Sequence, residues 1–312
     1  MRKRILSRLA VLPLTLLVVS FAVFALTTFS PGDSALYVLG EDASEEALSA
    51  YREASGSGGP FLSRYLSFLL SFLRGDWGTS AGGRSVRELV AGRAGVTLSL
   101  ALMSLFLALL VALPLSFLSL RKGTLRSALV AGGAMAVMAL PSFLIALFLV
   151  LVFSVWLGLF PVAGYSPVSE GWGRHLSSLF LPSLTLALMH ASLYIRVFRQ
   201  ALRENSEKPY SKAARALGMK RSQVLFRSAL KPSLPVLLSL VSETFASALA
   251  GSAVVETVFA LPGLGSLLVT AALSRDPVLS GTLVLLSALA VSLVSLLLDL
   301  SLLLLEKKRR II

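Results

Sequence analysis

Pro209-Tyr-Ser-Lys-Ala-Ala-Arg-Ala-Leu-Gly218-Met-Lys-Arg-Ser-Gln-Val-Leu-Phe226-Arg-Ser-Ala-Leu-Lys-Pro232-Ser-Leu-Pro235 is a polar, basic segment set between two apolar stretches. No membrane span needs such a segment, whereas a loop that docks a partner would explain it. Tyr210, Ala213, Ala214 and Leu217 recur at helical spacing, Gly218 supplies a left-handed stop, and Val224, Leu225 and Phe226 open a second short helical pattern. The segment reads as helix, glycine turn, helix. On charge alone a solvated basic loop near anionic lipid headgroups would be the preferred reading. A partner-docking loop is the alternative.

The apolar stretches on either side belong to a chain of 312 residues that is 55% hydrophobic and 14% charged, with a mean hydropathy of +0.82. Such a composition cannot be hidden in one soluble core, so the fold class is an all-α polytopic membrane protein. Crossing roughly 30 Å of hydrocarbon takes about 20 apolar residues. Six segments qualify, near 9–29, 95–120, 128–157, 179–195, 234–260 and 281–305. All are expected to be helices, because lipid satisfies no backbone polar group. Arg2, Lys3, Arg4 and Arg8 precede the first in the manner of a signal peptide, but its apolar run is long and no small-x-small cleavage site follows. An uncleaved anchor is the favoured reading. Phe61 to Leu73 is too short to span and carries Arg64, which suits a helix lying on the outer leaflet or against the spans, with a docking surface for a solute-binding protein as the sharper alternative.

With six spans, the N-terminal side of the membrane holds 21 of the 29 basic residues, in four segments: residues 2–8, Arg121 to Arg126, Arg196 to Lys231, and Lys307 to Arg310. The opposite side holds eight bases and ten acids. The positive-inside rule then places both termini in the cytoplasm. The net charge of +13 is therefore a topology signal. Nucleic acid is not an expected partner, since the bases are scattered and lack interleaved aromatics.

Residues 30–93 form the longest polar region outside the membrane. Asp42 or Ser44 can cap a short helix reaching about Ala54, which Gly56-Ser-Gly-Gly-Pro60 then breaks. Zero cysteines exclude disulfides and thiolate sites, and His175 and His190 have no familiar ligand spacing, so no metal site is expected. No phosphate-loop motif occurs, and residues 196–233 are too few for a nucleotide-binding domain. The chain is not expected to be an enzyme.

Ala213, Ala214, Gly218, Phe226, Pro232 and Pro235 stand in a pattern that resembles the cytoplasmic coupling loop of permease subunits in binding-protein-dependent ABC importers. Val254-Val-Glu256-Thr-Val-Phe259-Ala-Leu-Pro262-Gly263-Leu-Gly265 is similar to the fifth-span exit of the dipeptide/oligopeptide/nickel permeases. Arg74-Gly75-Asp76-Trp-Gly78-Thr-Ser80, Pro141-Ser142-Phe143, Leu181-Pro182-Ser-Leu-Thr185 and Arg196-x-x-Arg199 follow that family's order. The likeness, to the B-type permease, runs from about residue 1 to 305. It implies a type I ABC importer permease fold in the plasma (inner) membrane of a prokaryote. A domain at 94–312 would carry a coupling loop at about 203–233, preceded by an anchor and external loop at 1–93. The implied partners are a second permease in a heterodimer, two ATP-binding subunits or domains, an extracytoplasmic solute-binding protein and the lipid bilayer. ATP and Mg would sit on the ATPase, and no cofactor on this chain. The coupling residues implied are Tyr210, Ala213, Ala214, Arg215, Gly218, Phe226 and Pro232. Pathway and packing residues implied are Pro141, Ser142, Phe143, Ser247, Gly251 and Glu256. Short peptides are the first choice of cargo, with nickel chelates or glutathione as alternatives. Three departures stand out: Lys212 where the wider superfamily often has Glu, Pro209 in place of an acid, and Gly56–Pro60 in place of a Gly-Leu-Asp-Arg-Pro-like stretch.

Pro141 is expected to kink the third span, while Pro182 and Pro235 are placed near span ends where proline costs little. Ser247, Ala248, Gly251 and Ser252 give the fifth span a small-residue face suited to close helix approach. His190, Glu243, Glu256 and Asp299 are ionisable residues within spans, each costly in hydrocarbon. Glu256 and Asp299 match the family pattern. Glu243 stands where the family often has Gln, and His190 where no ionisable group is usual. The two are expected in the cytoplasmic half, His190 as a satisfied neutral side chain. A proton-driven secondary transporter is the rival function, but no repeated half and no chain of acids supports it.

Overall fold

Backbone groups that lipid cannot satisfy leave the helix as the only spanning element for this composition, and the long elements are indeed helices. A computed structural model describes residues 2–29, 40, 43–54, 60–120, 123–274 and 276–309. Asp42, the Gly56–Gly59 stretch, Arg121, Lys122 and the side chain of Asp299 lie outside the described residues. Among those described no strand forms, and one isolated antiparallel bridge pairs Thr79 with Ser85. The chain divides into two compact units, residues 1–97 with 262–293 and residues 98–261 with 294–312.

In the first unit, α1 (Arg2–Phe29) packs on α3 (Phe61–Leu73). Phe21 and Phe24 meet the rings of Phe61 and Tyr65 at 5.3–5.7 Å between centroids. The Ser20 hydroxyl and the Tyr65 phenol share a 2.8 Å hydrogen bond. Arg64 sits 5.9 Å above the Phe24 ring, so its charge is met by an aromatic face. α3 thus packs against another helix, α1. Between them, α2 (Glu45–Ala54) starts from Ser44, whose hydroxyl accepts the Ala47 N–H at 3.3 Å.

α4 (Val86–Leu118) begins nine residues before the apolar segment expected at 95 and passes through residues 93 and 94 without a break. Its first turns join Trp77, α12 (Leu264–Leu273) and the start of α13 (Pro277–Arg309) in an apolar cluster around Val86, Leu267, Ala271 and Leu283. Asp276, 3% exposed, caps α13 by accepting the Leu279 N–H at 3.0 Å. Its other oxygen accepts the Ala81 N–H at 2.6 Å, tying down the Arg74–Ser80 motif that was recognisable in the sequence.

The second unit is built around α7 (Trp172–Glu207), which packs against α5 (Leu125–Ala139), α6 (Ser142–Leu149) and α10 (Lys231–Gly251). Ala108, Ala112, Ala134, Ala187 and Ala191 lie in its core beside Tyr194, Phe198 and Leu202. Small side chains let the backbones approach, which is how spans associate when lipid offers no hydrophobic gradient. Where α4 ends, the guanidinium of Arg203 donates to the Ser119 carbonyl at 2.7 Å, the Leu120 carbonyl at 3.2 Å and the Ser127 hydroxyl at 3.0 Å. It thereby satisfies carbonyls that a helix C-terminus leaves open.

Among the described residues, four helices are long and apolar enough to cross a membrane: Val86–Leu118, Trp172–Glu207, Ser222–Ala248 and Val278–Leu298. The pair Leu125–Ala139 and Ser142–Trp156 makes a fifth only if counted as one span despite its 107° bend. Described side chains of α1 contribute a shorter apolar helix, Pro13–Leu26. The kink expected at Pro141 is thus a complete break. Leu140 and Pro141 are both extended, because the residue before a proline avoids the α region and the proline cannot donate to the turn before it. Two further expectations are corrected. Pro182 is buried well inside α7, and Pro235 lies inside a helix that runs on from Arg221. The fifth span also ends sooner than residue 260, since α10 stops at Gly251 and α11 (Ala253–Val258) follows as a separate turn.

Candidate functional site

α8 (Pro209–Ala216) has a proline as its first residue, where the missing N–H is no loss and the fixed φ suits a helix. Leu217 ends it, and Gly218 takes φ +83°. Gly218 N donates to Arg215 O at 3.0 Å and Met219 N to Ala214 O at 3.1 Å. That pair of bonds is a Schellman motif, whose left-handed residue is almost always glycine. α9 (Arg221–Val224) then opens with the Lys220 N–H held by the Gln223 side chain at 3.1 Å. The helix, glycine turn, helix reading is what the chain adopts.

A Cβ at Gly218 would meet no atom within 4 Å. Space within this chain therefore does not demand glycine, and the backbone angle is the local reason for it. Around the turn the surface is open. Leu217 is 85% exposed, Phe226 57% and Tyr210 45%, with Ala213 and Arg215 also exposed and Ala214 half-buried. Phe226 still rests one face on Phe117 of α4 at 6.0 Å. The Arg215 guanidinium donates to the Ser206 carbonyl at 3.1 Å, back onto α7.

Beneath this surface lies a polar knot that the sequence reading missed. The Asn205 amide, 8% exposed, donates to Ala201 O at 2.9 Å and to Ser233 Oγ at 3.0 Å, and accepts the Tyr210 hydroxyl at 3.0 Å. The Asn205 carbonyl accepts from Ser211 Oγ at 2.7 Å, and Ser233 Oγ donates to Ala229 O at 2.8 Å. One buried side chain thus joins the end of α7, the helix α8 and the start of α10. In sequence Asn205 stands in Arg203-Glu204-Asn205-Ser206-Glu207, a run that looks uniformly solvated. Its only signal is position, three turns past Tyr194 on the buried face of an amphipathic helix.

Pro232 is reached through a π-helical stretch, Leu225–Leu230, without a break in the helix. The wider turn relieves the clash that the proline ring would make with the carbonyl four residues back. Pro141 caps α6, Ser142 is half-buried in its first turn, and Phe143 is 44% exposed. Ser247 is exposed on α10, and Gly251 is the helix's last residue. Glu256, fully buried, accepts the Ser252 hydroxyl at 2.8 Å. α11 also ends in a Schellman motif, Leu261 N to Glu256 O at 2.8 Å and Ala260 N to Thr257 O at 3.2 Å, with Ala260 in the glycine's place at φ +51°. The residues expected to couple lie along the α8 turn and the helix that follows it, whereas those expected to serve the pathway and its packing fall on three different helices. His190 departs from expectation: its Nδ1 is buried without a hydrogen-bond partner among the described residues, and no hydrogen bond joins it to Glu243, which is exposed on α10. Among the described residues no cluster of potential metal ligands occurs.

The profile of the family described as binding-protein-dependent transport system inner membrane component matches residues 104–311. The chain belongs to that family. This inner membrane component is 34% identical over 298 residues to a Brucella abortus protein named as a peptide transport system permease, covering 93% of each chain. It is 32% identical over 220 residues to the oligopeptide transport system permease protein OppB of Salmonella typhimurium, covering 70% of each. In fold it is similar to a chain of the MetNI methionine ABC transporter in inward-facing conformations, with a TM-score of 0.56, 19% identity, and coverage of 70% of this chain and 96% of that one. As a transport-system permease it is a multi-pass membrane component and not an enzyme.

Proposed function

We propose that this chain is one of two permease subunits in an ATP-driven importer of short peptides, with α8 and the Gly218 turn as the element that docks on the ATPase. The observation that carries the proposal is the tie between an exposed helix–glycine–helix surface and two spans, α7 and α10, through Asn205 and Ser233. Force applied to α8 reaches spanning helices through hydrogen bonds and not through a slack loop. The peptide cargo follows the names of the relatives. Tyr210, Ala213, Ala214, Arg215, Gly218, Phe226 and Pro232 form or frame the docking surface in this reading. Pro141, Ser142, Phe143, Ser247, Gly251 and Glu256 serve the pathway and its packing. ATP and Mg would belong to two ATP-binding partners, cargo delivery to an extracytoplasmic solute-binding protein, and residues 1–93 to the anchor and external loop.

The whole complex in proteoliposomes, with ATP inside, tests this. Peptide uptake should require ATP and survive a protonophore, in the native chain and in His190→Leu alike. Uptake that persists without ATP and vanishes with the protonophore would instead establish the proton-driven reading.

Six spans with both termini cytoplasmic complete the proposal, α1 and the bent pair α5–α6 each counting as one. Because the chain has no cysteine, topology can be read on a clean background. A cysteine at Ser57 should react with an impermeant thiol reagent from outside the cell and one at Ser222 should not. The reverse pattern would overturn the six-span arrangement.

A further inference from the structure

α4 and α10 each present a stripe of exposed residues at intervals of four, and the two stripes differ in chemistry. On α4 the stripe is Leu98, Leu102, Phe106 and Leu110, the face expected against lipid. On α10 it is Ser239, Glu243 and Ser247. The adjoining face of α10 is pinned inward, since Leu240, Thr244 and Ala248 are buried and the Tyr194 phenol of α7 donates to the Leu240 carbonyl at 3.3 Å. Helix rotation is therefore fixed, and the polar stripe cannot turn into the core. No hydrogen bond or ion pair reaches Glu243 from the described residues. A carboxylate inside a candidate span, exposed and without a hydrogen-bond or ion-pair partner among the described residues, is expensive in hydrocarbon and points to a water-filled cavity.

We propose that Ser239, Glu243 and Ser247 line an aqueous passage in which the Glu243 carboxylate selects for cationic cargo, peptides bearing lysine or arginine side chains. The proposal rests on the permease reading above and adds a selectivity site to it. The serines offer exchangeable hydrogen bonds one turn to either side of the charge, enough to hold water or a peptide's polar groups without trapping them. A single carboxylate on a hydrated wall attracts a cation through Coulomb interaction and repels an anion equally.

The assembled transporter, nucleotide-free in liposomes, tests this without any cargo. Ser239→Cys or Ser247→Cys is exposed to two methanethiosulfonates, one carrying a quaternary ammonium and the other a sulfonate, and the mass shift of this cysteine-free chain is followed. Both positions should be modified. At one helical turn from Glu243, the cationic reagent should be favoured about tenfold over the anionic one, after correction for their rates with a free thiol. Adding Glu243→Gln should bring the ratio to about one, and Glu243→Asp should retain it. Absence of modification at both serines, or a ratio that Glu243→Gln leaves unchanged, overturns the proposal. In uptake, Glu243→Gln should lower the rate for trilysine relative to trialanine by a similar factor. Failure of all peptide uptake by the native complex would reject the peptide-importer reading while leaving the thiol result standing on its own.

Discussion

Replacing Gly218 by valine should cut cargo-stimulated ATP hydrolysis of the assembled complex about fivefold to thirtyfold while leaving membrane insertion intact. The argument is local. Gly218 holds φ +83° because the Schellman motif closing α8 requires a left-handed residue there. An L-residue pays roughly 1–2 kcal/mol to adopt that conformation, and a β-branched one at least as much. One to two kcal/mol corresponds to about that loss in the population of the correctly turned loop. Bulk and backbone angle can be separated, because no atom of this chain lies within 4 Å of a Cβ at this position. Asparagine tolerates the left-handed region, so Gly218→Asn should keep most of the hydrolysis. Gly218→Trp adds a large side chain at the surface and should be the most damaging. Asparagine as harmful as tryptophan would shift the requirement from the angle to close contact with a partner. Unchanged hydrolysis in all three variants would remove Gly218 from coupling.

The same turn shows why part of this protein could be read from sequence and part could not. Helix spacing in Tyr210, Ala213, Ala214 and Leu217, and a glycine to stop it, are local signals, and the structure follows them to the residue. The apolar segments likewise became helices, because lipid leaves the backbone no alternative. Helix ends were less legible wherever a span continues into polar sequence. α4 starts at Val86 because Val86, Leu89 and Val90 find apolar partners on α12 and α13, far away in the chain. Proline was ambiguous for a related reason. Pro141 breaks its span by 107°, Pro182 is absorbed within α7, and Pro232 and Pro235 follow a π-helical stretch without ending the helix. Whether a proline bends, breaks or is tolerated depends on what its neighbours pack against, and that is not written beside it. Asn205 is the sharpest case, a buried hub that looks like one more polar residue in a charged run.

That hub yields the other large effect. Asn205→Leu should leave ATP hydrolysis by the assembled complex largely intact while uptake per ATP falls about tenfold. Leucine keeps the branching and heavy-atom count of asparagine but removes the donor to Ser233 and the acceptor for Tyr210, so α8 loses the path to α10 that runs through this side chain and keeps only the Arg215 and Ser211 bonds to α7. Two lost hydrogen bonds are worth about 1–3 kcal/mol together, which is the range that separates a stiff link from a loose one. The Ser211 bond to the Asn205 carbonyl survives, because it uses the backbone. α8 should therefore stay folded and docked while transmitting motion poorly. Tyr210→Phe breaks only one of the two links, at a half-exposed site where water can replace it, and should reduce uptake per ATP by no more than about fivefold. The ratio of uptake to hydrolysis is the decisive readout. A purely structural Asn205 would lower assembly, hydrolysis and uptake in the same proportion, and a ratio that stays constant across both variants would show that coupling does not pass through this side chain.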